Sequence, residues 1–164
     1  MTDRNNPVSA PLRGTTASTI TLFGDNDQID VALSQELGRR GCRTHAVSVV
    51  TGWLQSARHV ICRLDTVVGQ RALEGLAGRS RPRANVVAVC EKPTDAYATQ
   101  RLKDLCEECG RHHDVSLIWH SSISGSRNTE HPPIDHLAVS VADEMSAKVD
   151  GHGSSFSSRF VDLG

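Results

Sequence analysis

Short runs of β-branched and aliphatic residues alternate along this chain with segments whose apolar residues recur every three or four positions, and that alternation leaves few folds open. The most continuous run, Val86-Val87-Ala88-Val89-Cys90, is apolar at every position. A strand of that kind is buried on both faces, as in a parallel sheet covered by helices. Thr19 to Phe23, Thr44 to Val50, His59 to Leu64 and Val115 to Trp119 read as further strands, and Arg159 to Leu163 as a last edge strand. Between them Ile29, Leu33 and Leu37 repeat at a spacing of four after the capping residues Asp25, Asn26 and Asp27, and Gly41 stops the pattern. Val67 to Leu76 gives a short helix. Pro93 to Asp95 opens a longer one whose inward face is Leu102, Leu105, Cys106, Cys109 and His113, and Ile134 to Val149 closes the series through Leu137, Val141 and Met145.

Strand followed by helix throughout requires crossover connections and therefore a mostly parallel sheet. The expectation is an α/β, doubly wound, Rossmann-like domain of about five to six strands with helices on both faces. Residues 1–17 carry Pro, Asn, Ser, Thr and Gly without apolar periodicity and read as a disordered lead-in. Residues 18–164 then form one domain, a size that buries an adequate core from the 164 available residues.

Composition removes several function classes. A formal net charge of -1 provides no long-range field for a polyanion, so nucleic acid is not an expected partner. No stretch reaches the ~20 apolar residues of a membrane span and the first residues lack a signal's apolar core. With five cysteines, an odd number, the thiols read as reduced and the location as cytoplasmic.

A dinucleotide-binding domain carries glycines in its first strand-to-helix turn so that a pyrophosphate can approach the backbone. Here that turn is Gly24-Asp25-Asn26-Asp27-Gln28-Ile29-Asp30, and the second and third glycines of the pattern fall on Asn26 and Ile29. Side chains fill the phosphate's place and carboxylates repel its charge. Tyr97, the single tyrosine, has Arg101 four residues on where a hydride-transfer site of short-chain reductases has lysine. No NAD(P) and no other cofactor is expected. Asp25 and Asp27 could hold Mg²⁺, and Cys106, Cys109, His112 and His113 have zinc-like spacing. Helix capping explains the first pair and a helix's inward face explains the second cluster, so no metal is expected either.

Ligands of open parallel sheets bind outside the carboxyl ends of the strands. In the common order 3-2-1-4-5 the ends of the first, fourth and fifth strands are neighbours, which would bring Asp25, Glu91 and His120 to one crevice. His120 would then be a general base and a carboxylate would orient it.

Three segments, TITLFGDNDQIDVALSQELGRRGCRTHAV, VVAVCE through VSLIWHSS, and HLAVSVADEMSAKV followed by SRFVDLG, together resemble the structural, non-catalytic ketoreductase subdomain of modular polyketide synthases. That subdomain is a truncated short-chain dehydrogenase fold without cofactor. The resemblance spans Ser18 to Gly164 and implies a place in polyketide, secondary-metabolite biosynthesis. Two functions follow from it. One is a cofactor-independent accessory protein docking to a synthase or tailoring enzyme. The other is a non-redox cyclase, dehydratase or isomerase that acts on a polyketide intermediate through His120, Asp25 and Glu91. A homo-oligomer stays open.

Overall fold

In the computed structural model the residues described are 18–48, 57–78, 82–123, 133–151 and 156–163. The expectations for residues 1–17 and for the last two residues of the strand read over Thr44 to Val50 fall outside them. Ten elements follow in chain order: β1 Thr19–Phe23, α1 Gln28–Arg39, β2 Arg43–Val47, β3 His59–Arg63, α2 Val67–Ala77, β4 Asn85–Glu91, α3 Ala96–Cys109, β5 Asp114–His120, α4 Pro133–Val149 and β6 Ser157–Val161. All six strands are parallel, in the order β2-β1-β3-β4-β5-β6, with helices on both faces. This is the expected doubly wound, Rossmann-like α/β architecture. No described helix is long and apolar enough to cross a membrane.

Alternation along the strands separates the core into two layers. Phe23, Val60, Cys62, Val86, Ala88, Val115 and Leu117 face one side and pack against Leu73 and Leu76 of α2 and Cys106 and Cys109 of α3. Ile20, Leu22, Ile61, Val87, Val89 and Ile118 face the other and meet Leu33 and Leu37 of α1 and Leu137, Val141 and Met145 of α4. Both faces of β3, β4 and β5 are therefore dry, which is why VVAVC carries no polar residue.

Because α1 and α4 share a face, the connections differ in hand. From β1 the chain moves outward to β2 through α1, and from β5 it moves to β6 in the opposite direction through a helix on the same face. The α2 and α3 connections run in that opposite direction but on the opposite face, and so keep the hand of the first. With three connections of the usual right hand, β5–α4–β6 is left-handed, against the strong general preference. Polar ties hold α4 there: Lys148 Nζ donates to Asp114 Oδ1 at 2.6 Å with both side chains buried, and Ser116 Oγ donates to Glu144 at 2.7 Å.

Two glycines respond to the packing in opposite ways. A Cβ on Gly69, in the first turn of α2, would collide with the backbone carbonyl of Arg63, whereas one on Gly38, in the last turn of α1, would meet nothing. Gly69→Ala is expected to lower unfolding stability by about 1–3 kcal/mol. Gly38→Ala should raise it by about 0.5–1 kcal/mol, because alanine holds helix at lower entropic cost. Urea unfolding of the two variants measures both; equal effects of the same sign would contradict the packing.

Candidate functional site

The strand order corrects the crevice expected from sequence. β3 lies between β1 and β4, so Asp25 at the end of β1 is not a neighbour of Glu91 and His120. Only the last two come together, as register partners on β4 and β5. Glu91 is exposed and His120 is fully buried on the α1/α4 side of the sheet. The Nδ1 of His120 lies 2.8 Å from the carbonyl of Ser121, which fixes the proton on Nδ1, while Nε2 is buried without a partner among the described residues. A general base must come within hydrogen-bond reach of the proton it takes. A ring with no exposed surface has no such reach in this conformation.

What stands beside the end of β1 is the end of β3, and it carries Arg63. The side chain is only 2% exposed, and its five N–H groups make five hydrogen bonds to three carboxylates. Nη1 and Nη2 donate to the two oxygens of Asp27 at 2.8 and 3.1 Å. Nε and Nη2 do the same to Asp65 at 3.2 and 3.1 Å, and Nη1 also reaches Asp30 at 2.7 Å. Such fork-to-fork pairing is what the planar guanidinium is built for. The cation of the acidic turn is thus a side chain of the protein.

Asp30 occupies the place where a Rossmann turn would receive a phosphate. Its Oδ2 accepts from the backbone N–H of Asn26 at 2.8 Å, and Asn26 adopts the left-handed backbone, φ 59°, that turns this N–H inward. Asp27 caps α1 by accepting from the N–H of Asp30 at 3.1 Å. Gly24 keeps no Cβ because one would overlap the Asp30 carboxylate itself. The turn's single glycine therefore makes room for an internal anion. Across the cluster, Thr66 caps α2 by accepting from Gly69 N–H and donates its hydroxyl proton to the carbonyl of Arg63.

Burial works to raise the carboxyl of Asp27, but the hydrogen bonds and charge of Arg63 and the α1 amides outweigh it and hold that carboxyl below its ordinary value of 3.8. Burial likewise opposes the charge on Arg63, and its carboxylate partners more than compensate, driving its pKa upward. Arg63 and Asp65 are not among the site residues expected from the sequence. The usable signal was an arginine ending an otherwise apolar strand in a chain whose first turn held unpaired acids.

The cysteine cluster lies in the core. Cys106 and Cys109 are fully buried between α3 and the sheet, with Leu105 partly buried beside them. His113 accepts from the N–H of Ala84 at Nδ1 and donates from Nε2 to the carbonyl of Leu76. Both ring nitrogens are therefore used in structure. Burial pushes the thiols of Cys90 and Cys109 up to about 12 and raises those of Cys62 and Cys106 as well. Among the described residues no group of three His, Cys, Asp or Glu is arranged to hold a metal ion.

One open groove of about 640 Å³ lies next to the Arg63 cluster, between the N-terminal halves of α1 and α4. Asp27, Val31, Ala32, Gln35, Ile134 and Asp135 line it, and none of Asp25, Glu91 and His120 does. No protein family, curated protein or solved structure matches this chain.

Arg63→Met should cost about 3–5 kcal/mol of stability, because it strands the buried Asp30 carboxylate without a partner. Asp30→Asn in the same chain should recover part of that loss; a decrease under ~1 kcal/mol for Arg63→Met would show that the cluster is not holding the fold. A carboxyl lowered in the folded state stabilises in full above its unfolded value and loses that contribution as pH falls through the folded value. The native chain should accordingly lose stability on acidification below about pH 4 more steeply than the Arg63→Met variant does. For the thiols, a disulfide reagent at mildly alkaline pH should leave the buried Cys62, Cys90, Cys106 and Cys109 unlabelled in the folded protein and reach all of them in urea. Fast labelling of Cys106 or Cys109 without denaturant would contradict their burial.

Proposed function

We propose that the chain is a cofactor-independent, Rossmann-like accessory protein of the cytoplasm that works by docking to another protein. Its partner in this reading is a synthase or tailoring enzyme of polyketide biosynthesis. The observation that carries the first half is the occupied turn: Asp30 and Arg63 fill the position where a dinucleotide fold exposes backbone amides to pyrophosphate. A diphosphate would have to displace a carboxylate bonded to both a guanidinium and an amide, and would then face Asp27 and Asp65 at close range. The polyketide context is supported by the sequence resemblance alone.

Docking is favoured over catalysis by the placement of the candidate base. The buried ring of His120 and the separation of Asp25 from Glu91 leave no described cavity in which these three groups meet. Tyr97, the remaining residue with a hydride-transfer precedent, stands exposed at the start of α3.

Calorimetric titration with NADPH is expected to show no saturable binding, and a dissociation constant in the low micromolar range would overturn the reading. Affinity purification of the tagged chain from cells that naturally make it should enrich one synthase or tailoring enzyme reproducibly. Turnover of pathway intermediates by the purified chain, lost in a folded His120→Ala variant, would instead support the enzyme.

A further inference from the structure

We infer that the groove between α1 and α4 is the surface on which this partner docks, and that the element seated in it is a basic, amphipathic helix. The inference rests on the docking reading above. Two parallel helices lie side by side here, and a groove with Ala32 and Ile134 in its lining lies between their N-terminal halves. Val31, 52% exposed, stands on its α1 side. On α4, Asp135 lines the groove and Asp143 reaches Arg40 of α1 at 2.7 Å, so the i,i+4 row Asp135–Val139–Asp143 runs along the flank nearest α1. Val139, 40% exposed, stands on that row outside the groove's lining.

Charge distinguishes the groove from the rest of the α1/α4 seam. Outside it, Arg40 pairs with Asp143 and Glu36 and offsets their charge. In the groove itself Asp27 and Asp135 are lining residues, and no lysine or arginine is among its described lining residues. Arg63 behind them is already outnumbered by Asp27, Asp30 and Asp65. A groove that offers Val31, Ala32 and Ile134 among polar neighbours, with Asp27 and Asp135 also in its lining, fits a helix whose apolar face carries a branched or aromatic anchor and whose flank carries lysine or arginine. A third helix fits beside two others by the ordinary meshing of side-chain ridges. The anchor would supply most of the affinity, and the carboxylates its orientation and rate of encounter.

The test uses the full chain and the partner recovered by affinity purification. A carbodiimide, which joins a carboxylate to an amine in direct contact, should couple Asp135 or Asp27 to a lysine in a helical segment of that partner. Val31→Asp and Asp135→Lys, each checked for an unchanged circular dichroism spectrum, should weaken binding by on the order of tenfold. Asp135→Asn should weaken it less, and added salt should weaken the native complex but have little effect on the Asp135→Lys one. If a partner binds but couples elsewhere, or binds both variants with native affinity, the groove assignment is wrong while the docking reading stands. A second copy of this chain coupled at Asp135 would also overturn it. Failure to recover any reproducible partner would remove both.

Discussion

A single buried guanidinium organises the carboxyl-end surface of this sheet. Arg63 sits at the end of β3, and its three carboxylates come from the turn and first helical residues after β1 and from the turn before α2. The positions of both helix N-termini relative to the sheet are therefore referred to one side chain. Pairing a buried ion recovers at best the cost of removing it from water, so the cluster is a weak source of net stability. Its consequence is geometric. With every N–H of the guanidinium committed, α1 and α2 have one arrangement over the strand ends, and the residues that would obstruct it are the two kept as glycine, Gly24 against Asp30 and Gly69 against the carbonyl of Arg63.

That arrangement gives the glycine of the first turn a different meaning from the one its place in a Rossmann-like fold suggests. A glycine at the end of β1 ordinarily opens the backbone to a ligand's phosphate. Here the amide of Asn26 and the start of α1, which together would bind an anion, are satisfied by Asp30 and Asp27 of the same turn. The acid-rich sequence and the single glycine are thus two halves of one internal contact.

The sequence carried the architecture well where local chemistry and tertiary packing agree. Apolar runs as pure as VVAVC have one destination, and the strands and helices lie within a few residues of where the periodicity puts them. The inward row of α3 was legible for the same reason, since Leu102, Cys106 and Cys109 face the sheet at helical spacing. Strand order was not legible. Nothing in the residues of β1, β3 or β4 records which neighbours which, because all three are buried on both faces through most of their length and any of them could accept the others. The expected meeting of Asp25 with Glu91 and His120 depended on that order and dissolved when β3 was found between them. Arg63 is not legible for the same reason: in HVICRL it is the polar end of a strand, and its meaning depends on acids 33 and 36 positions away.

The groove between α1 and α4 follows from the least ordinary feature of the fold. A right-handed β5–α4–β6 connection would have carried α4 to the face of α2 and α3, leaving α1 alone over its half of the sheet. The left-handed connection places α4 beside α1, where Leu137, Val141 and Met145 complete the second core layer with Leu33 and Leu37. It also aligns the N-termini of two parallel helices at the strand ends, each with an acid in its first turn, Asp30 and Asp135. Asp30 is consumed by Arg63, but Asp135 has no such cation in the described groove and remains in its lining. One topological choice thus both completes the core and leaves the Asp135 carboxylate beside the Arg63 cluster, on the helical layer of the domain.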